Sequence, residues 1–172
     1  MRIHLEGRAR VVGDDINTDY IIASTRKRET LDEQLLKRYL FETLDSAFAA
    51  SVQPGDLLVA GANFGCGSAM EVAATVILAS GINAVIAGSF SRTFYRNAIN
   101  NGLLPVECET HGIGEGDRLV VTLDGDNLDI ENLTRGTRLA ATALSPLMAD
   151  ILDAGGLVEF MRRGGWTPRS SS

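Results

Sequence analysis

Two runs of four apolar residues, Leu57-Leu-Val-Ala60 and Ala84-Val-Ile-Ala87, constrain this chain more than any other feature. Neither alternates with polar residues, so a strand made from either must be buried on both faces, as in a parallel sheet covered by helices. Between them, MEVAATVILAS (70–80) reads as a buried helix that stops at Gly81, a residue suited to the left-handed position after a helix end. Residues 57–87 therefore predict a strand-helix-strand unit, with a glycine-rich loop, GANFGCGSAME (61–71), leading from the first strand to the helix.

The flanks extend this unit. A helix is predicted over 91–101 with Phe94, Ala98 and Ile99 inward, then a third apolar strand over 103–106. IHLEGRARVV (3–12) alternates as a half-buried strand does, and it runs into an aspartate-rich turn, 13–19. The segments 116–123 and 127–130 predict antiparallel strands joined at Gly125-Asp126, and 145–154 a last helix before Gly155-Gly156. Thr30-Leu-Asp-Glu33 resembles a capping box opening a helix to about Tyr39, with Leu31, Leu35 and Leu36 inward, and a short helix is expected near 44–50. Residues 24–29 (STRKRE) read as an exposed charged connection or flap. The fold class is α/β: a mixed sheet with a parallel strand-helix-strand core and a β-rich C-terminal part. A single domain over 1–165 is expected, with 166–172 a disordered tail.

Charge and cysteine usage exclude several functions. With 16 Lys plus Arg against 22 Asp plus Glu the formal charge is −6, so nucleic acid is not an expected partner. No stretch reaches the roughly 18 apolar residues of a membrane span, and the N-terminus lacks a signal-peptide core, so a cytoplasmic protein with no membrane partner is expected. The two cysteines, Cys66 and Cys108, form no CxxC or Cys/His pattern, so no metal is expected on this chain.

The glycine loop carries the chemistry. Unpaired N–H groups at a helix start attract anions, and glycines let a ligand approach the backbone. The loop lacks the Gly-Lys-Ser/Thr of a phosphate loop and the glycine spacing of a dinucleotide fingerprint, which leaves a carboxylate as the better ligand. Ser68, after Gly67, can act as nucleophile or proton-transfer group, or simply cap the helix. With only His4 and His111 in the chain and no Gly-x-Ser-x-Gly elbow, Ser-His-Asp hydrolysis is not expected.

GDDINTDYII (13–22), GANFGCGS (61–68) and GINAVIAGSFSRTFYRNAINNGLLPVE (81–107) together resemble the small subunit of 3-isopropylmalate dehydratase, the swivel domain of the aconitase superfamily. The resemblance implies a swivelling β/β/α domain that closes over a separate large subunit, which carries a [4Fe-4S] cluster acting as Lewis acid. It implies a heterodimer or heterotetramer, with self-association possible for the isolated chain, and a hydro-lyase of leucine biosynthesis acting on a substituted malate. Homoaconitase, another substituted-malate dehydratase and a non-catalytic carboxylate-binding module stand as alternatives. By the same resemblance Ser68 is the base that takes a C–H proton, and Gly65, Gly67 and Ala69 belong to the loop that holds a substrate carboxylate.

Two departures bear on the substrate. Where the family reads Gly-Ser-Ser-Arg-Glu, this chain reads Gly67-Ser-Ala-Met-Glu71, which removes a guanidinium that could grip a carboxylate by two aligned hydrogen bonds. Where the family continues Asp-x-Ile-Ile with Pro-Ala/Gly-Arg-Tyr-Leu, this chain has Ala23-Ser-Thr-Arg-Lys-Arg28. Arg26, Lys27 or Arg28 can supply the missing charge, or can belong to a solvated flap. Asp14, Asp15 and Asp19 read as braces of the loop or as carboxylates that orient catalytic groups. Arg92 and Arg96 read as helix-capping or substrate-binding residues.

Overall fold

The computed structural model describes residues 2–165. The predicted tail, 166–172, lies outside the described residues.

Seven strands form one sheet in the order β4-β3-β2-β1-β5-β6-β7. The parallel half is β1 (Arg2–Val11), β2 (Leu57–Ala60), β3 (Ala84–Ala87) and β4 (Leu104–Glu107), each paired with its neighbour in the same direction. On the other side of β1, β5 (Arg118–Asp124), β6 (Asn127–Asn132) and β7 (Thr137–Ala140) form an antiparallel meander. The sheet curls until its two edges meet. Just beyond β4, Cys108 bridges Ala141, and the Thr142 N–H donates to the Glu107 carbonyl at 2.9 Å.

The apolar runs do what their lack of alternation requires. Leu58, Ala60, Val85 and Ala87 face one core with α5 (Val72–Ala79) and the segment 16–48, whereas Leu57, Val59, Ala84 and Ile86 face a second. That second core fills the concave side of the curl, where Leu119, Val121, Leu123, Leu128 and Ile130 meet Ile151 and Leu152 of α7 (Pro146–Asp153). α6 (Arg92–Asn101) buries Phe94, Ala98 and Ile99, the three residues predicted, and ends at Gly102 with φ 83°. The short α8 (Leu157–Arg162) follows α7.

The stretch 18–52 departs from expectation. It folds as α1 (Thr18–Ile21), α2 (Ser24–Glu29), α3 (Glu33–Leu36), a 3-10 turn at Lys37–Tyr39 and α4 (Phe48–Ser51). The 24–29 segment is thus a helix rather than a flap. The cap of α3 is Asp32, whose side chain accepts from the Gln34 N–H, and not Thr30. Leu36 is buried, but Leu35 is 47% exposed because a single helical turn can present only a narrow face to the core, and Leu31, which precedes the helix, is 65% exposed. β7 and α8 had no counterpart in the sequence reading.

Candidate functional site

Ligands of parallel α/β sheets bind outside the carboxyl ends of the strands. Here three connections converge at that end: 12–17 after β1, 61–71 after β2 and 88–91 after β3. Backbone hydrogen bonds stitch them together. The Gly65 N–H donates to the Ile16 carbonyl at 2.7 Å, the Thr18 N–H to the Cys66 carbonyl at 2.9 Å, and the Phe64 N–H to the Ser89 carbonyl at 3.0 Å. Ser91 caps α6 through its hydroxyl oxygen, which accepts from the Phe94 N–H, while its own O–H donates to the Gly65 carbonyl at 2.8 Å.

The glycine at 65 is required by this close approach. A Cβ there would lie 2.3 Å from the Phe94 Cβ, and the backbone has φ 80°. Phe64, fully buried, anchors the loop edge-on against Phe94 at 5.0 Å between ring centroids.

The aspartates of 13–19 are all engaged. Asp14 accepts from the Ala62 N–H at 2.7 Å, and Asp15 accepts from the Asn63 amide at 3.1 Å. Asp15 and Asn63 both adopt positive φ, 52° and 60°, so two facing left-handed residues hold each other across the crevice. Asp19 accepts from the Ser24 hydroxyl and lies 3.5 Å from the Lys27 ammonium; the Ser24 hydrogen bond, then Lys27, draws its carboxyl below the usual range.

The tip of the loop is different. Gly67, Ser68 and Ala69 are exposed, and their three N–H groups find no acceptor among the described residues. Ser68 does not cap α5. The cap position is Glu71, and it makes no side-chain cap bond. The Ser68 hydroxyl instead lies 3.3 Å from Oγ1 of Thr18, a side chain buried at the start of α1. Thr18 Oγ1 also donates to the Ser68 carbonyl at 3.0 Å. No local signal in the sequence marks this partnership of residues fifty apart.

The aconitase C-terminal domain family matches residues 12–111, the span that contains all three converging loops. The small subunit of 3-isopropylmalate dehydratase from Caldicellulosiruptor bescii is 47% identical over 159 residues, covering 91% of this chain and 94% of that protein. The small subunit 1 of the same enzyme from Archaeoglobus fulgidus is 46% identical, covering 91% and 96%. This chain belongs to the 3-isopropylmalate dehydratase small-subunit family. A solved 3-isopropylmalate dehydratase structure from Methanocaldococcus jannaschii superposes with a TM-score of 0.87 at 41% identity, covering 94% of this chain and 95% of that one. The mixed, curled α/β fold is thus that of the small-subunit family.

Within this small-subunit fold the candidate cations differ sharply. Arg26 forms a two-pronged pair with Glu42, at 3.0 and 3.2 Å, and its guanidinium stacks 3.8 Å from the Tyr39 ring centroid. The Glu42 hydrogen bond raises its pKa further above an already high value. Lys27 is buried against Asp19. Arg28, Arg92 and Arg96 are exposed and have no hydrogen bond or ion pair among the described residues. Arg92 is the first residue of α6, immediately after the serine that ties that helix to Gly65. It does not cap the helix; Ser91 does.

A cavity of about 330 Å³ opens beside α1, lined by Asp19, Tyr20, Ala23, Ser24, Thr25 and Thr43. As for metals, no group of three or more His, Cys, Asp or Glu able to hold an ion occurs among the described residues. Cys108 is buried, and burial pushes its thiol up to about 11. Cys66, half-buried, bridges Asn17 through its backbone, well ahead of the first turn of α5. None of the described helices is long and apolar enough to cross a membrane.

Proposed function

We propose that this chain is the small subunit of a heteromeric hydro-lyase that interconverts 2-isopropylmalate and 3-isopropylmalate by dehydration and rehydration, in leucine biosynthesis. The observation that carries the reading is the tip of the glycine loop. An exposed serine hydroxyl sits among three unpaired N–H groups at the carboxyl edge of the sheet, in a chain of this family.

The two cysteines of this chain do not suit a cluster: they lie 42 positions apart, one of them buried in the second core. The [4Fe-4S] cluster of the reaction therefore belongs to the large subunit, where it supplies a Lewis acid for the departing hydroxyl. This chain contributes the other half of the site. The N–H groups of Gly67, Ser68 and Ala69 take one substrate carboxylate, as oriented backbone donors do without reorganising. Ser68 receives the C–H proton on dehydration and returns it on hydration. Asp14, Asp15 and Asp19 brace the loops that present these groups.

The second carboxylate needs a cation, and Met70 offers none. Arg26 is engaged by Glu42 and Tyr39, and Lys27 by Asp19, so we assign this role to Arg92, with Arg28, also exposed, as the second candidate. Side chains tilt toward the start of their helix, which aims the first residue of α6 back over the glycine loop. The cavity between α1 and α2 takes the alkyl branch.

The test is to co-express this chain with a cluster-bearing large subunit, purify the complex anaerobically and assay a panel of malates. Turnover of 3-isopropylmalate is expected. Preference for homoaconitate or dimethylmalate would redirect the substrate assignment, and no turnover of any malate by a cluster-replete complex would sink the enzyme reading.

A further inference from the structure

The hydroxyl of Thr18 has two acceptors within reach and only one proton to give. It stands 3.0 Å from the Ser68 carbonyl and 3.3 Å from the Ser68 hydroxyl, in a side chain only 3% exposed. In the resting arrangement the shorter contact takes the Thr18 proton, and the Ser68 O–H in turn donates to Thr18 Oγ1. The Ser68 carbonyl does not depend on this bond, since the Met70 N–H also donates to it at 2.9 Å. Thr18 is itself fixed: its N–H holds the Cys66 carbonyl, and Asn17 caps α1 by accepting from the Tyr20 N–H.

We propose that Thr18 is a two-position donor that sets the proton-accepting form of Ser68. The proposal rests on the role of Ser68 as base. When Ser68 loses its proton to solvent water, the Thr18 O–H rotates from the Ser68 carbonyl to the Ser68 oxygen, and the alkoxide gains a buried, aligned donor. On dehydration the substrate C–H bond breaks toward Ser68, its electron pair forms the new C=C bond, and the C–O bond opposite breaks to release hydroxide, which the proton Ser68 gave up earlier completes to water. Ser68 then carries the proton again, and Thr18 turns back to the carbonyl. Hydration runs the same steps in reverse. Serine alone is a poor base at neutral pH, so a donor present for the anion and dispensable for the neutral hydroxyl is the element the loop otherwise lacks.

The experiment uses the complex with the large subunit and compares Thr18→Val, Thr18→Ala and Thr18→Ser. Loss of a hydrogen bond to a charged group predicts that kcat falls about ten- to hundredfold in the first two. KM should stay within about twofold, and the ascending limb of kcat against pH should move up by about one unit, the equivalent of a tenfold change. Thr18→Ser should stay within about threefold of the parent. In a Ser68→Ala background, Thr18→Val should add nothing. The titratable and charged groups on the loop and on the elements beside it are Cys66 and Glu71 on 61–71, Asp14 and Asp15 after β1, Asp19 and Tyr20 on α1, Arg26, Lys27, Arg28 and Glu29 on α2, and Arg92, Tyr95 and Arg96 on α6. Cys66→Ser keeping the limb in place excludes the thiol. Wild-type kcat and pH profile in Thr18→Val would overturn the proposal, as would Thr18→Ser falling as far as Thr18→Val, which marks a packing role. A fully active Ser68→Ala would instead remove the parent reading.

Discussion

Two regions of this sheet use hydrogen bonds in opposite ways. Where β5 begins, beside Ala9 of β1, three donors converge on one oxygen of Asp117: its Oδ2 accepts from the Gly114 N–H at 2.8 Å, the buried Asn132 amide at 2.9 Å and Arg135 at 2.6 Å. At the carboxyl end of the parallel half, the stem of the glycine loop is tied to its neighbours, but its tip at 67–69 presents three N–H groups without an acceptor among the described residues and an exposed serine whose hydroxyl contacts only Thr18. Buried polar groups of a folded chain are normally paired within it, whereas exposed donors are left to water or a ligand. Under the proposed function the exposed donors at 67–69 are the ones a substrate completes, whereas the Asp117 cluster holds the fold.

The sharpest way to break this comparison is at Ser68. Ser68→Ala removes one exposed hydroxyl that makes only the 3.3 Å contact with Thr18. Turnover of the complex should fall at least about a hundredfold, the scale for removing a proton-transfer group, with melting temperature unchanged within about a degree or two. Enzyme kinetics and a thermal melt on the same preparation decide it: near-normal turnover would refute the role of Ser68.

Asp117→Ala should give the converse, stability lost and chemistry kept. It strands the Asn132 amide, whose residue is fully buried, and costs about 2–3 kcal/mol by denaturant unfolding. The acid limb follows from the same contacts. The Asn132 hydrogen bond above all, then Gly114 and Arg135, lowers the Asp117 carboxyl to about 2. A lowered carboxyl stabilises the folded state fully above its unfolded pKa of about 4, and that contribution disappears as pH falls toward 2. The parent protein should therefore lose stability across this window more steeply than Asp117→Ala. Equal acid slopes would show that the cluster carries no such linkage.

Arg92→Ala comes next. An exposed guanidinium without a protein partner contributes little to folding, so the melt should not move. If Arg92 holds the second carboxylate, affinity for a dicarboxylate inhibitor of the complex should drop about tenfold or more, while a matched monocarboxylate is unaffected. Arg96→Ala, one turn further along α6, should change neither. Equal losses for both inhibitors in Arg92→Ala would deny it the carboxylate.

What could be read from the sequence divides along the same line. β2, β3, β4 and α6 were legible because burial on both faces, or on one helical face, leaves unbroken or periodic apolar patterns, and Phe94, Ala98 and Ile99 are such a pattern. The 18–52 stretch was not, because helices of four to six residues are too short to show a period, and the exposed Leu31 and Leu35 counterfeit one. The glycine loop suggested a ligand through its composition, and Ser68 was singled out by family resemblance. Thr18, Glu42 and Tyr39 were invisible because their parts depend on contacts across the fold. The Glu42 and Tyr39 contacts are also why Arg26, the most attractive cation in the sequence, proved already occupied.

The smallest effect belongs to the outer face of the antiparallel half, where His4, Asp129 and Arg138 are exposed. There Glu131 on β6 stands opposite Arg138 on β7, beside a shallow cavity of about 280 Å³ that also involves His4, Thr122 and Asp129. A solvated cross-strand pair contributes only about 0.2–1 kcal/mol, and no ion pair between these two is formed. Glu131→Lys, which sets two positive charges face to face, should cost less than about 1 kcal/mol and leave kcat and KM of the complex within about twofold. The outcome tests more than stability. A drop in activity with the fold intact would mean that this bare face meets the large subunit, and unpaired groups at the carboxyl end of the sheet would no longer be the sole marker of function.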